Sequence, residues 1–296
     1  MKKFGSYIGY FFMLVIASLY LVDFLYTEAY KRGIPRNKAR YTLLLKNQTF
    51  DYVFMGSSRV ENSISTQEIE RITQKRAINL GTQGADFDDV YLFLKLLVAN
   101  NNNLKNVFVQ IDGSYVNQID SQILKSQLIP YVSSNDVLEE HMKLNEKDFY
   151  KLKYIPFYKY AKSDYSVGFR EVFMTLLQKK SNIAFDDGFV PLDGYMNSDS
   201  SARFPNTIKQ NNKAVDEISK LCQGNKINLL FFCAPYCSNV ENKHFTKLLE
   251  NKLPNFKDYS GSFTNDSLFR DCSHLNEKGA LKFTALFAQE NLKESK

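Results

Sequence analysis

Short apolar runs alternate with helical patterns along much of the chain, and this alternation constrains the fold more than any other feature. The runs are short and rich in β-forming residues, as buried parallel strands are; they cover residues 51–55, 77–80, 107–111 and 227–233. Between them, Ser65 to Glu68 form a capping box and residues 86–99 carry apolar side chains at helical spacing. The alternation predicts βαβ units, an open doubly wound sheet and a site at the carboxyl ends of its strands.

A second constraint is the apolar stretch of residues 6–26. About 20 such residues are enough to cross a bilayer, and Asp23 lies near the far end, where a carboxylate reaches the interface at tolerable cost. A cleaved signal peptide and a buried N-terminal helix are the alternatives. The stretch lacks a small-x-small cleavage site, and Tyr20 and Tyr26 suit an interfacial belt, so we expect an uncleaved membrane anchor.

The charges flanking this stretch give a conflicting signal about orientation. Two lysines precede it, whereas five basic residues follow it: Lys31, Arg32, Arg36, Lys38 and Arg40. The positive-inside rule alone would keep the following part of the chain in the cytoplasm. Over the whole chain the formal charge is +6, and basic residues are scattered among acidic ones, so the composition does not favour nucleic acid as a partner.

The four cysteines do not predict a metal site, because they lack the paired spacing of zinc ligands; they are Cys222, Cys233, Cys237 and Cys272. One or two disulfides are expected if the domain is extracytoplasmic. Four free cysteines in a core would give the same pattern, and the sequence leaves both alternatives open.

The chain is predicted to have three parts: a membrane anchor at residues 1–30, a basic juxtamembrane linker at 31–44, and one domain at 45–296. Within the domain, residues 116–205 interrupt the alternation, because they are rich in Tyr, Phe, Lys and Asp and contain four prolines. Helices are expected at about 168–179 and 207–223. An insertion of this size forms either a lid or substrate surface over the strand ends or an elaboration of the packing.

Ser58 is the best candidate for nucleophilic chemistry. It follows an apolar run in the segment Gly56-Ser57-Ser58-Arg59, and at a strand-to-helix turn backbone N–H groups point outward and can stabilise an oxyanion. Farther along, Asp271 precedes His274 by three residues, so the carboxylate can hold one ring nitrogen while the other accepts a hydroxyl proton. The two remaining histidines lie in runs typical of solvated faces: His141 and His244.

These residues resemble the conserved blocks of the SGNH, or GDSL-like, hydrolase family. The segment 56–58 is similar to its first block, with Ser58 as nucleophile, and residues 79–84 resemble its second block. The resemblance makes Gly84 an oxyanion-hole donor beside the Ser58 N–H. Asp271 and His274 match the fifth block, as orienting carboxylate and general base. The family implies a flavodoxin-like three-layer α/β/α sandwich with a central parallel sheet.

The third block departs from the family pattern. Typical members carry Gly-x-Asn-Asp after the third strand, with the Asn as an oxyanion donor, whereas this chain has Asp112-Gly113-Ser114-Tyr115. Either Ser114 or a water replaces that donor, or the oxyanion hole has two groups. The neighbouring Arg59 is a candidate for binding an anionic substrate group, and a structural salt bridge is the alternative.

The N-terminal anchor, the Gly-Ser-Ser form and the long insertion resemble a bacterial envelope subset of the family, similar to the alginate acetylation and teichoic acid D-alanylation proteins. The resemblance implies a serine esterase or acyltransferase without a cofactor or metal, acting on acyl esters of envelope polysaccharide. It further implies a single-pass inner-membrane protein with a periplasmic or otherwise extracytoplasmic domain, working beside a membrane-bound O-acyltransferase. A catalytically inactive module that binds carbohydrate or assembles such a complex is the alternative.

Overall fold

The computed structural model describes residues 2–117, 121–185, 187–197 and 200–292. The chain divides into two compact units. The anchor unit comprises Met1–Arg40 and Gln122–Ser181, and the sheet unit comprises Tyr41–Ser121 and Asn182–Lys296. The predicted insertion at 116–205 is therefore shared between the units, because its central part folds with the N-terminal helix.

Five parallel strands form the central sheet of the sheet unit. The strands of the described residues are β1 Thr49–Met55, β2 Ala77–Asn79, β3 Asn103–Gln110, β4 Ala202–Arg203, β5 Asn228–Cys233, β6 Val240–Glu241, β7 Phe256–Asp258, β8 Phe269–Asp271 and β9 His274–Leu275. The order in the central sheet is β2-β1-β3-β5-β7. Counted within this sheet alone, the order is 2-1-3-4-5, the doubly wound order of flavodoxin-like folds. Two small sheets accompany it: a parallel pair, β4 with β6, and an antiparallel pair, β8 with β9.

Helices cover both faces of the central sheet, which makes three layers. The helices of the described residues are α1 Lys2–Arg32, α2 Lys38–Leu44, α3 Ser58–Glu61, α4 Thr66–Thr73, α5 Phe87–Ala99, α6 Gln122–Leu128, α7 Asp136–Asn145, α8 Phe149–Tyr154, α9 Tyr158–Lys162, α10 Asp164–Val167, α11 Phe169–Leu176, α12 Lys213–Gly224, α13 Phe245–Lys252 and α14 Glu277–Asn291. In the sheet unit α5 packs against α12, and α4 packs against α14.

The core between the sheet and α14 is aromatic. The ring of Phe54 stacks on that of Phe108 at 4.9 Å between centroids, and Phe287 from α14 contacts both rings edge-on. Val53 and Val107 are also fully buried. The strands are covered on both faces, and this explains their nearly continuous apolar sequences.

The strands and helices predicted from the alternation are confirmed. The Ser65 side chain caps α4 by accepting the Glu68 N–H, and Asp86 and Asp89 form a reciprocal capping box at α5. The predicted interpretation of His141 as a solvated residue was wrong: it is buried on α7, although charged residues flank it in the sequence.

The first helix is long enough and apolar enough to cross a membrane. Residues 3–21 are exposed, so α1 does not belong to the buried core of a soluble domain. Its second half packs within the anchor unit, where the Tyr30 and Tyr160 rings stack and Thr27 bonds the Tyr160 hydroxyl at 2.7 Å. The anchor unit is therefore built around the end of α1.

Candidate active site

Ser58 lies at the carboxyl end of β1, as the first residue of α3. The turn before it depends on Gly56, which has φ +152°; a Cβ at this position would lie 2.7 Å from a methyl carbon of Val60. The Ser57 side chain then accepts the Arg59 N–H and caps α3. The chain reverses tightly at this point and leaves Ser58 partly exposed at the edge of the sheet.

Asp271 and His274 face each other across the short antiparallel pair β8 and β9. Both carboxylate oxygens of Asp271 lie 3.0 Å from Nδ1 of His274. The same carboxylate accepts the backbone N–H groups of Ser273 and His274, at 2.8 and 3.0 Å. Burial raises the pKa of Asp271, but the bonds from His274 and Ser273 outweigh it, and the net pKa lies well below its ordinary value.

The structure brings Ser58 and His274 together although they are 216 residues apart in the sequence. The Ser58 Oγ lies 2.9 Å from Nε2 of His274. A proton on Nδ1, donated to Asp271, leaves Nε2 as an acceptor for the Ser58 hydroxyl, so one tautomer satisfies both bonds. This Ser58–His274–Asp271 chain can remove a proton from the hydroxyl as it attacks.

The second predicted block runs beside this turn. The Thr82 N–H donates to the carbonyl of Gly56 at 3.0 Å, and Gly84, with φ +72°, follows two residues later on the exposed surface. Within the described part of the chain, the N–H groups of Ser58 and Gly84 donate to no other residue. Both N–H groups are thus available as donors, as the predicted oxyanion hole requires.

Asp112 belongs to the third block, where the sequence departs from the family pattern, and its side chain points into the protein. Its carboxylate is buried and accepts bonds from Gln110 Nε2 at 2.8 Å and from the Tyr236 hydroxyl at 3.0 Å. Both the backbone N–H and the side chain of Ser114 also bond to it. A hydroxyl has one proton to donate, so the Ser114 proton is already used by Asp112.

Arg59 completes this buried network. Its Nη2 donates to the carbonyls of Ala234 and Pro235 at 2.7 and 2.9 Å, and its guanidinium stacks on the Tyr236 ring at 3.6 Å. Its Nη1 lies 3.5 Å from Asp112. Burial raises the pKa of Asp112, but the Arg59 charge and the bonds from Ser114 and Gln110 reverse this, and the net pKa is lowered. Arg59 is buried behind Ser58, which favours a structural role over contact with substrate.

A disulfide lies next to the histidine. Cys237, in the segment after β5, is bonded to Cys272, the residue that follows Asp271. The Cys237 N–H also donates to the Cys272 carbonyl at 3.0 Å. The disulfide therefore holds the loop of Asp271 and His274 against the segment after β5, in which the carbonyls of Ala234 and Pro235 accept hydrogen bonds from Arg59. Cys222 and Cys233 are free and buried.

The segment 182–205 also supports this loop. The Cys272 N–H donates to Ser200 Oγ at 3.0 Å, and the Met196 N–H donates to the Phe269 carbonyl at 2.9 Å. A cavity of about 160 Å³ lies beside the loop, lined by Leu192–Tyr195 and Asn276–Lys278. A larger cavity of about 500 Å³ is lined by residues around β2 and by none of Ser58, Asp271 or His274. Neither lining includes a triad residue; the smaller cavity is the nearer one in sequence, because Asn276 follows His274 by two residues.

Several residues of the site were not recognised from the sequence. Tyr236 and Ser200 act through contacts with distant parts of the chain, and no local spacing marks them; Asp112 was noted in the third block, but its buried contacts were not. Of the two alternatives for the cysteines, the structure has one disulfide, and Cys222 and Cys233 are free.

Comparison with known proteins adds no assignment: no family model matches the chain, and no curated protein matches it. The resemblance to the SGNH hydrolases therefore rests on the motifs and stays a prediction.

Proposed function

We propose that this protein is a serine esterase or O-acyltransferase that acts on acyl esters, with acetyl as the acyl group, through an acyl-serine intermediate. One observation carries the proposal: Ser58 Oγ lies 2.9 Å from His274 Nε2, while Asp271 lies 3.0 Å from the other ring nitrogen. A nucleophile, a base and an orienting carboxylate in this order are the elements of acyl transfer through serine.

The proposed reaction has two steps. His274 takes the Ser58 proton as Oγ attacks the ester carbonyl carbon, and the N–H groups of Ser58 and Gly84 stabilise the resulting oxyanion. The tetrahedral species collapses, the ester bond breaks, and His274 returns the proton to the leaving alcohol. Water or a sugar hydroxyl then loses a proton to His274 and attacks the acyl-Ser58 ester. The bond between the acyl carbon and Ser58 Oγ breaks, His274 returns the proton to Oγ, and a carboxylic acid or a new ester is released.

The substrate class in this proposal comes from the family resemblance. It is an acylated polysaccharide of the bacterial envelope, and a membrane-bound O-acyltransferase is the proposed partner. Water as acceptor gives an esterase, and a sugar hydroxyl gives a transferase. Because both use the same acyl-enzyme, the acceptor alone separates these two activities.

The proposed location is the extracytoplasmic side of a bacterial inner membrane, with α1 as a single span. The Cys237–Cys272 disulfide favours an oxidising compartment. Two of the basic residues after the apolar stretch are neutralised within the anchor unit, since Arg32 pairs with Glu28 and Arg36 with Glu171. The positive-inside rule counts basic residues and not net charge, so its signal still opposes this orientation, and the disulfide and the family resemblance support the proposed side.

A catalytically inactive envelope module is the second candidate function. The third block favours it, because Asp112 and Ser114 bond each other and leave two backbone donors for the oxyanion. Loss of one donor costs on the order of 10² to 10³ in rate, so a hole with two donors is expected to be slower than one with three.

Labelling with a fluorophosphonate probe tests the proposal on the full chain in detergent. The native protein is expected to react at Ser58 and to hydrolyse p-nitrophenyl acetate, because the probe reports an activated serine. Ser58→Ala is expected to lose both signals, whereas the neighbouring Ser57→Ala variant should keep them. Equal, weak labelling of native protein and Ser58→Ala, with no hydrolysis by either, would support the inactive module instead.

A further inference from the structure

The first step concerns where the membrane would end along α1. Phe4 to Asp23 spans 19 residue steps, or about 29 Å at 1.5 Å per residue, which matches the roughly 30 Å hydrocarbon layer of a bilayer. The side chains from residue 4 to residue 21 are exposed along this length. If α1 crosses the membrane, Asp23 therefore lies at the edge of the hydrocarbon layer.

The turn between α8 and α9 lies at the same level as Asp23. The Phe157 N–H donates to one oxygen of Asp23 at 2.8 Å, and Lys159 Nζ lies 2.9 Å from the other. The Phe157 ring also contacts that of Tyr26, at 5.1 Å between centroids. These contacts, all within the anchor unit, fix the turn beside the membrane edge.

Three exposed side chains come just before this turn. Tyr154 and Ile155 are 62% and 48% exposed, and the exposed Tyr150 ring stacks on Tyr154 at 6.3 Å. Ile155 and Tyr154 are two and three residues from Phe157, which places them within about 10 Å of the membrane edge. Tyrosine is enriched in the interfacial layer, where its ring is apolar and its hydroxyl meets water. We name Tyr150, Tyr154 and Ile155 the aromatic corner.

Most lysines around the aromatic corner are paired within the anchor unit. Four of them have an acidic partner: Lys151 with Asp148, Lys153 with Glu139, Lys159 with Asp23, and Lys162 with Glu146 and Asp148. The three side chains of the corner carry no charge, and the lysine nearest to the Tyr154 ring, Lys153 at 5.5 Å from its centroid, is paired with Glu139. Such a surface is suited to the boundary between headgroups and acyl chains, and it has little preference for anionic lipids.

We propose that the aromatic corner inserts into the membrane interface and is a second lipid contact, in addition to α1. Its occupant is the headgroup and acyl boundary of the same bilayer that α1 crosses, and zwitterionic lipid is sufficient. The contact orients the anchor unit on the membrane surface, because one helix alone leaves rotation about its axis free. The proposal rests on α1 spanning the bilayer and is independent of the chemistry at Ser58.

The chain contains no tryptophan, so a single substitution provides a fluorescent reporter. The test variant is Tyr154→Trp in the full chain, reconstituted in phosphatidylcholine vesicles. A matched control is Leu176→Trp, which is 63% exposed. The adjacent Thr175 packs against Gly33, which follows Asp23 by ten residues, about 15 Å farther along the α1 direction. Leu14→Trp, in the middle of α1, reports insertion of the helix.

Quenching by brominated acyl chains and by aqueous acrylamide distinguishes the outcomes. We expect bromolipid to quench Tyr154→Trp on the order of threefold more than Leu176→Trp, with acrylamide giving the reverse order. Replacing part of the phosphatidylcholine by phosphatidylglycerol should leave the quenching unchanged.

Three outcomes would overturn the proposal. If Tyr154→Trp is quenched by acrylamide and not by bromolipid while Leu14→Trp reports insertion, the corner faces water. If it is protected from both quenchers, a protein surface such as a second copy of the chain covers it instead of lipid. If Leu14→Trp itself is not quenched by bromolipid, α1 does not span the bilayer, and the premise fails.

Discussion

The loops after β1 and β3 leave adjacent parallel strands at the same edge of the sheet, where Met55 pairs with Val109, and both carry short polar motifs. In the first loop, Ser58 is partly exposed and its hydroxyl meets His274. In the second, Asp112 is buried, forms an ion pair with Arg59 and accepts hydrogen bonds from Gln110, Ser114 and Tyr236.

The difference between the two loops lies in their partners and not in their residue types. The first loop is served by Asp271 from β8, which bonds the His274 imidazole, whereas Asp112 in the second loop neutralises the Arg59 guanidinium charge. The pKa of both carboxyl groups is lowered, so the same carboxylate chemistry supports a reactive group at one loop and the stability of the fold at the other.

The largest expected effect is at the reactive loop. Ser58→Ala should lower kcat for p-nitrophenyl acetate by on the order of 10⁶-fold, because it removes the nucleophile. Thermal unfolding of the variant should stay close to that of the native protein, since Ser58 is partly exposed. If Ser58→Ala kept a tenth of the native kcat, Ser58 would not be the nucleophile, and the loop after β1 would be no more reactive than the loop after β3.

Asp271→Asn is expected to lower kcat by about 10⁴-fold, because the amide no longer holds the histidine in the required tautomer and charge state. As a control, Ser273→Ala removes one hydrogen bond to the carboxylate but leaves the contact between Asp271 and His274. Steady-state rates of the two variants separate the effect of the Asp271 charge from the effect of the hydrogen bond that Ser273 donates to it. Similar losses in both would contradict the role given to Asp271.

Asp271 also gives a pH dependence of known sign. Its folded pKa lies below the unfolded value of about 3.9, so the ionised side chain stabilises the fold above that pH. The contribution is lost as the pH falls through the folded pKa. The free energy of unfolding, measured with urea from pH 6 down to acidic pH, should therefore fall less for Asp271→Asn than for the native chain. An equal loss in both would contradict the lowered pKa.

The buried loop should respond in stability. Asp112→Asn leaves the Arg59 charge without its partner, and breaking such a buried pair costs about 3–5 kcal/mol in the free energy of unfolding. The exposed pair of Arg71 and Glu68 is the matched control, because Glu68→Gln should cost less than about 1 kcal/mol. Urea unfolding measures both. Equal effects would mean that burial does not distinguish the two pairs.

The disulfide joins the loop of Asp271 and His274, which serves Ser58, to the segment after β5. Replacing both Cys237 and Cys272 by alanine should cost about 3–4 kcal/mol, given the sequence separation of 35 residues, and should lower activity by loosening the loop of Asp271 and His274. A reducing agent should inactivate the native chain and a Cys222→Ala control. It should not lower the activity of the double variant further, because that variant lacks the disulfide. Unchanged activity after verified reduction would show that the bond supports the fold alone.

The smallest expected effect is at Ser114. Its hydroxyl bonds to Asp112, so Ser114→Ala should lower kcat by less than about tenfold, below the 10² to 10³ expected for loss of an oxyanion donor. Rates with p-nitrophenyl acetate decide between these values. A loss of 10² or more would place Ser114 in the oxyanion hole and give the β3 loop a part in catalysis.

Much of the fold could be predicted because its signals are local. Buried strands such as β1 and β3 are nearly continuous apolar runs, and capping residues such as Ser65 mark where helices begin. The edge strand β7 was not predicted, because it has three residues and lacks such a run. The insertion was recognised by composition, but composition carries no information about which part of it folds with α1.

The candidate triad was accessible for a similar reason. Asp271 and His274 are three residues apart, and Ser58 follows a glycine at the end of a strand, so short motifs carry all three. The Arg59 network was not accessible, because its members come from three separate segments that meet only in the folded chain. His141 was misread, since a charged flank does not show which face of a helix is buried.

The sequence by itself determined the parallel sheet, the apolar length of α1 and the residues able to form a triad, because periodicity, length and short spacing are properties of neighbouring residues. Only the tertiary structure decided that Ser58 meets His274, that Cys237 pairs with Cys272 and that Asp112 turns inward to Arg59. Each of these contacts joins residues far apart in the chain. Their existence depends on how the strands are ordered and the loops packed, which no local pattern specifies.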